Sequence, residues 1–149
     1  MEKLNINVGI KRYQLVEGGA LLSFNPGDPN VYARYMELVP KIKDVQQEMT
    51  GKAKAVNVNA PDAGEQTLKI MRETDRRMKD ILNQIFGKEN NFDDILAGVN
   101  LMAITADGSR VIDNVIDGLT PIMSEGVKAC VDTEVKTAKL NREQRRAMQ

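Results

Sequence analysis

One apolar stripe constrains the fold of this 149-residue chain more than any other feature of its sequence. Apolar residues recur at spacings of 4, 3, 4, 3 and 4 in the set Val31, Tyr35, Leu38, Ile42, Val45 and Met49. This period is typical of an amphipathic helix. Asp28 is placed to cap that helix, and Pro29 suits its first turn. We therefore predict a helix over residues 29–49, which Pro40 should kink or split.

Three further segments are predicted to be helical, over residues 65–86, 92–97 and about 109–135. The first carries an apolar stripe of Leu68, Met71, Met78, Leu82 and Ile85. Asp75 stands where this stripe should continue. We expect it to pair with Arg72 or Lys79 on the same helix, and the alternative is that it marks where the helix leaves the core. Gly118 and Pro121 are expected to interrupt the last helix.

The first 24 residues carry the pattern of β-strands. Leu4, Ile6, Val8 and Ile10 alternate with polar residues and glycine, a period of two residues that is typical of a half-buried strand. Gly18 and Gly19 suit a tight turn. We predict a β-hairpin within residues 4–24, with Leu4–Val8 as a candidate additional strand. Residues 50–64 lack helical periodicity and are predicted to form a long loop, with a brief strand near Val56.

These elements predict a mainly α protein with a small N-terminal β-hairpin, an α+β chain built as an amphipathic helical bundle. A single domain is expected over residues 1–135, followed by a basic C-terminal tail over 136–149. The tail carries five basic residues and Glu143, a local charge of +4. Two interpretations of the tail stay open: a contact with nucleic acid or an acidic partner, and a solvated helix end.

The composition argues against catalysis. The chain has no His and one Cys, and its 21 basic residues balance 21 acidic residues. Without His, the commonest general base and metal ligand is missing. Cys130 lies on an apolar stripe and is expected to be a core thiol. Asp113–Gly118 only faintly resembles a calcium loop. We therefore predict no enzyme, no catalytic or metal site and no cofactor. The chain also carries no apolar run long enough for a membrane span, and its neutral charge makes nucleic-acid binding an unfavoured expectation.

A resemblance to a known family rests on four parts of the chain. These are the N-terminal hairpin leading into Leu22–Tyr35, the helix that ends Ile85-Phe86-Gly87, the short Phe92–Leu96 helix, and the segment Val111–Ile122. Together they cover most of residues 4–125. In this pattern of elements the chain resembles the tail assembly chaperones of long-tailed bacteriophages, especially phages and prophages of Gram-positive hosts.

The resemblance implies a non-enzymatic chaperone that binds and solubilises the tape measure protein during tail morphogenesis. It further implies self-association into homo-oligomers and displacement by the tail tube protein. The expected location is the host bacterial cytoplasm, and the protein is not expected in the mature virion.

By analogy, partner contacts are expected at seven residues, namely Tyr32, Tyr35, Met36, Val39, Met71, Met78 and Phe92. The alternative assignment of these side chains is to the core. Two other functional classes stay open. One is a virion structural protein, such as a minor tail or head–tail connector component. The other is a small DNA-binding or regulatory module that uses the basic tail.

Overall fold

A computed structural model describes residues 1–147 of the chain, and it is mainly α-helical with a small antiparallel hairpin, as the sequence predicts. The elements follow one another as β1 (Lys11–Gln14), β2 (Leu21–Phe24), α1 (Pro29–Ala55), α2 (Ala63–Phe86), α3 (Phe92–Ile95) and α4 (Val111–Ala147).

Helix α1 begins where the sequence predicts but continues further. The Asp28 carboxylate accepts a hydrogen bond from the Asn30 N–H at 2.9 Å and so caps the first turn. Pro40 does not split the helix, which runs unbroken to Ala55. The predicted loop over residues 50–64 is therefore wrong in extent, because only residues 56–62 connect the two helices and no strand forms there. A single glycine at position 51 costs a helix about 1 kcal/mol without ending it.

Helices α1 and α2 form an antiparallel pair. The Arg34 guanidinium, near the start of α1, donates to the Ile85 carbonyl at the end of α2 over 2.9 Å. Further along, Arg77 and Glu48 form an ion pair at 2.6 Å. Gly87 ends α2 with a φ of 97°, a backbone conformation that favours glycine.

Helix α3 is shorter than the predicted span of residues 92–97. The Asn91 side chain caps its start by accepting from the Asp93 N–H at 2.9 Å. The helix ends at Ile95, because Ala97 and Gly98 both adopt positive φ angles.

Helix α4 packs antiparallel to α1 and is longer than predicted. The Tyr35 hydroxyl, near the start of α1, reaches Thr120 Oγ1 at 2.6 Å, and Ile42 lies across from Ile112. Gly118 and Pro121 do not interrupt α4, which extends to Ala147. The part of the predicted tail over residues 136–147 is therefore helical, and residues 148–149 lie outside the described residues.

The hairpin is smaller than predicted. Strands β1 and β2 pair from Lys11↔Phe24 to Gln14↔Leu21, and residues 1–10 form no strand. The Asn90 side chain explains the missing strand on the outer side of β2. Its amide bonds both the N–H and the carbonyl of Ser23 at 2.9 Å, which occupies the backbone groups that another strand would use.

Aromatic side chains join the hairpin to the helices. The rings of Phe24 and Phe86 lie 4.8 Å apart between centroids, and those of Phe86 and Phe92 lie 5.6 Å apart. The hairpin also approaches α3 closely at Gly19, where a Cβ atom would lie 2.1 Å from the Ile95 carbonyl oxygen. Only glycine fits this contact, so the hairpin is held against the helices rather than free in solvent.

Candidate partner-binding surface

Three of the seven residues expected to contact a partner lie in the core. Tyr35, Met78 and Phe92 are buried in the described structure. The Tyr35 hydroxyl bonds Thr120 and the Ile116 carbonyl, and burial raises the pKa of Tyr35 above its ordinary value. These three side chains hold the helices together, and the candidate surface is reduced to the other four residues.

The remaining four do not form a single patch. Tyr32, Met36 and Val39 follow one face of α1 at helical spacing, and Met36 is 55% exposed. Met71 is half-buried on α2. Because α1 and α2 are antiparallel and Glu48 faces Arg77, Met71 lies toward the opposite end of the pair from Tyr32.

A groove of about 390 Å³ with a mainly apolar lining lies between β1 and α4. Its lining is mainly aliphatic and aromatic, with Tyr13, Leu15, Val16, Leu96, Val111, Val115, Leu119 and Ile122 as the apolar members. Gly118 also lines the groove, and a Cβ atom placed there would meet nothing within 4 Å. The β1–α4 groove therefore has the character of a binding surface for apolar side chains.

Strand β1 borders this groove with an unpaired edge. Ser23 directs its backbone groups to Asn90, so Ser23 and its partner Arg12 form a non-hydrogen-bonded pair of the hairpin. The N–H and carbonyl of Arg12 consequently point away from β2. Within residues 1–147, no hydrogen bond satisfies these two groups. The outer side of β2 is closed, whereas the outer side of β1 is open to another strand.

The second exposed feature is the C-terminal part of α4, residues 131–147, which we call the α4 arm. Met123 is the last buried residue of the helix, and every residue from Val131 to Ala147 is exposed. At 1.5 Å per residue the arm is about 25 Å long. Val131 and Val135 are 53% and 49% exposed, and they lie one turn apart on one flank. The arm therefore presents apolar surface that its own fold does not cover.

A polar groove of about 590 Å³ follows α2 and α3. Here the predicted pairing of Asp75 is confirmed, because Lys79 Nζ lies 3.0 Å from its carboxylate. Lys79 also bonds Asp93 of α3 at 2.7 Å. The Lys79–Asp93 ion pair joins α2 to α3 and the Lys79–Asp75 pair lies within α2, so both have a structural role.

The other chemical candidates lie in helix α4. Asp113–Gly118 is helical within α4 and not a loop, and Cys130 is half-buried rather than a core thiol. In residues 1–147 no three His, Cys, Asp or Glu side chains come together as a metal site. No helix of that part of the chain is long and apolar enough to cross a membrane.

Comparisons with protein-family models, with curated proteins and with solved structures gave no significant match. The fold and these surfaces define a mainly α protein with an apolar groove beside β1 and an exposed apolar flank on α4.

Sequence reasoning did not identify the groove or the open edge of β1. Tyr13 and Leu15 carried a signal, since they are apolar residues alternating along a short strand. Their contact with α4 involves residues about a hundred positions away in the chain, and local sequence patterns do not reveal such contacts.

Proposed function

We propose that this protein is a phage tail assembly chaperone that binds the tape measure protein and keeps it soluble during tail morphogenesis. The resemblance over Leu22–Tyr35 and Val111–Ile122 supports this proposal, and the mainly α architecture with an N-terminal hairpin agrees with it.

The observation that carries the proposal is the α4 arm. A helical segment of this length without tertiary contacts is marginally stable in water. Because the arm is marginally stable alone and its valines are uncovered, a partner helix that lies alongside it would stabilise it. A helical tape measure protein offers a partner of that shape, because two amphipathic helices bury their apolar flanks against each other.

The chemistry of the arm suits a contact that is later exchanged. Burying the remaining surface of Val131 and Val135 would contribute on the order of 1 kcal/mol each. Small contributions of this kind, repeated along a long partner, bind many chaperone molecules while leaving each one able to dissociate. Displacement by the tail tube protein requires this property.

Co-expression with the tape measure protein tests the proposal. The wild-type chain should keep the tape measure protein in the soluble fraction. The double variant Val131→Glu/Val135→Glu should lose this effect, because it places charges on the apolar flank. The matched control Thr133→Glu/Thr137→Glu places the same charges on the opposite side of the arm and should behave as wild type. A tape measure protein that stays insoluble with wild type would contradict the proposal.

The virion structural alternative has its own discriminating measurement. Mass spectrometry of purified virions should find little or none of a transient chaperone. Abundant recovery of this chain in mature particles would support a minor tail or connector component instead.

The basic end of the arm favours a second candidate function, a DNA-binding module. Its basic residues are Lys136, Lys139, Arg142, Arg145 and Arg146, all exposed on a helix. If they contact phosphates, duplex DNA should show a mobility shift that weakens with salt and is lost in Arg142→Glu/Arg145→Glu. No shift at low salt would exclude this candidate.

A further inference from the structure

The segment Leu4–Ile10 has the residue pattern of a strand but pairs with no strand in the described structure. Its apolar residues alternate with Asn5, Asn7 and Gly9, so in an extended chain they share one face. Leu4 and Ile6 are 92% and 78% exposed. The chain therefore carries a segment with the alternation of a one-sided strand, and the apolar side chains in its first half are not buried.

Its own hairpin does not provide an edge for this segment. Val8 and Ile10 lie beside Phe24, Asn25 and Phe86, near the far end of β2. The outer side of β2 is already bonded to Asn90. Since Ile10 leads directly into β1, the segment would have to reverse direction just before Lys11 to reach the open side of β1.

The open edge of β1 and the β1–α4 groove suit the segment in length and chemistry. Strand β1 has four residues and spans about 13 Å, and residues 4–10 span about 23 Å when extended, so the segment is long enough to cover the whole edge. The backbone groups of Arg12 are available for hydrogen bonds, and the groove beside them is lined by apolar side chains. Strand addition of this kind combines backbone pairing with burial of alternate side chains.

We propose that Leu4–Ile10 of one copy adds as a third strand to the open edge of β1 in a second copy, with its apolar side chains in the β1–α4 groove. The donor segment and the acceptor edge are different surfaces, so each copy can give a strand and receive one. This contact is independent of the tape measure protein, because it requires only surfaces of this chain.

Sedimentation equilibrium from micromolar to millimolar concentration tests the donor. Wild type should associate, and Ile6→Asp should associate about 10- to 100-fold more weakly, since it removes one apolar anchor. The matched control is Asn7→Asp on the opposite face. It adds the same charge and keeps a side-chain oxygen that can accept from the Gly9 N–H, so its association should equal wild type.

The acceptor is tested at Arg12, whose N–H faces away from β2. Arg12→Pro removes that donor without removing a bond to β2 and should weaken association, whereas Arg12→Ala keeps the edge and should not. Circular dichroism checks that Arg12→Pro folds. If it does not fold, the comparison of Ile6→Asp with Asn7→Asp decides whether the segment mediates association.

Mixing Ile6→Asp with Arg12→Pro distinguishes a specific donor–acceptor contact from nonspecific association. Ile6→Asp keeps its acceptor edge and Arg12→Pro keeps its donor segment, so at a concentration where each variant alone is mainly monomeric the mixture should form a one-to-one dimer. Three results would overturn the proposal: a monomeric wild type, equal association of Ile6→Asp and Asn7→Asp, or a mixture that stays monomeric. Protected amides at residues 4–8 in a monomer would assign the edge to the chain's own segment.

Discussion

Polar residues in unexpected places mark the points where distant segments meet. Asp75 stands on the apolar stripe of α2, and its carboxylate accepts the Leu101 N–H at 2.7 Å while pairing with Lys79. The stripe is interrupted because the chain after α3 packs back on α2 there, and its backbone needs an acceptor. A sequence pattern shows such a residue as an anomaly, and the tertiary contact explains it.

Asn90 is the residue on which attachment of the hairpin depends most. Its buried side chain bonds both backbone groups of Ser23 and the Phe86 carbonyl. We expect Asn90→Ala to lower the free energy of unfolding by about 2–4 kcal/mol, because buried backbone groups lose their partners. Asn91→Ala, which removes only the exposed cap of α3, should cost about 1 kcal/mol. Urea denaturation measures both, and equal losses would contradict the role of Asn90.

Asp107 makes the turn before α4 sensitive to acid. Hydrogen bonds from the Ser109 and Thr105 hydroxyls lower the pKa of Asp107 to about 2, from 3.8. A lowered pKa means that this stabilisation is complete above the ordinary value and is lost as the pH falls toward 2. NMR titration should show the Asp107 carboxyl protonating near pH 2, with the Ser109 amide shifting together with it. In Asp107→Asn that amide should lose its titration step, and a midpoint near 4 in wild type would refute the prediction.

At the scale of elements, α1 and α4 continue through Pro40 and Pro121 because packing outweighs a local helix breaker. Pro40 and Pro121 both lie inside continuous helices. The helices around them bury apolar residues on both sides of each proline, and that burial offsets the lost hydrogen bond. The split predicted at Pro40 and the interruption predicted at Pro121 do not occur for this reason.

Two glycines of α4 should respond oppositely to alanine. A Cβ atom at Gly126 would lie 2.0 Å from the Pro26 carbonyl oxygen, so Gly126→Ala must push the helix away from the turn after β2. We expect a loss of about 1–3 kcal/mol. At Gly118 the space is open, and Gly118→Ala should stabilise the helix by about 0.5–1 kcal/mol. Thermal denaturation checks both signs. A change in Tm of the same sign in the two variants would contradict the described packing of α4 at these glycines.

At the scale of the whole molecule, a packed body is joined to an uncovered arm. Core side chains run from Leu22 of the hairpin to Met123 of α4, and the arm contributes none of them. The body holds its conformation by burial, whereas the arm relies on its own helical hydrogen bonds. Stability should therefore be unequal along one continuous helix.

Hydrogen exchange should reveal this inequality. Amides of α4 between Ile112 and Met123 should exchange slowly, near the rate set by global unfolding, and amides of residues 131–147 should exchange faster by orders of magnitude. Binding of the tape measure protein should slow the arm selectively. Equal protection of both parts in the free monomer would mean that another surface already covers the arm.

The sequence by itself determined the helical elements, the small hairpin and the cap at Asp28, because these depend on periodicity and on chemistry within a few residues. It also predicted that Asp75 pairs with Arg72 or Lys79, which are its neighbours on one helix, and the structure shows that the partner is Lys79. Only the tertiary structure decided that Tyr35, Met78 and Phe92 are core residues, that α4 extends beyond the body, and that β1 keeps an open edge. These properties depend on which segments meet across the chain, and a stripe of apolar residues has the same pattern whether a helix of its own fold or another protein covers it.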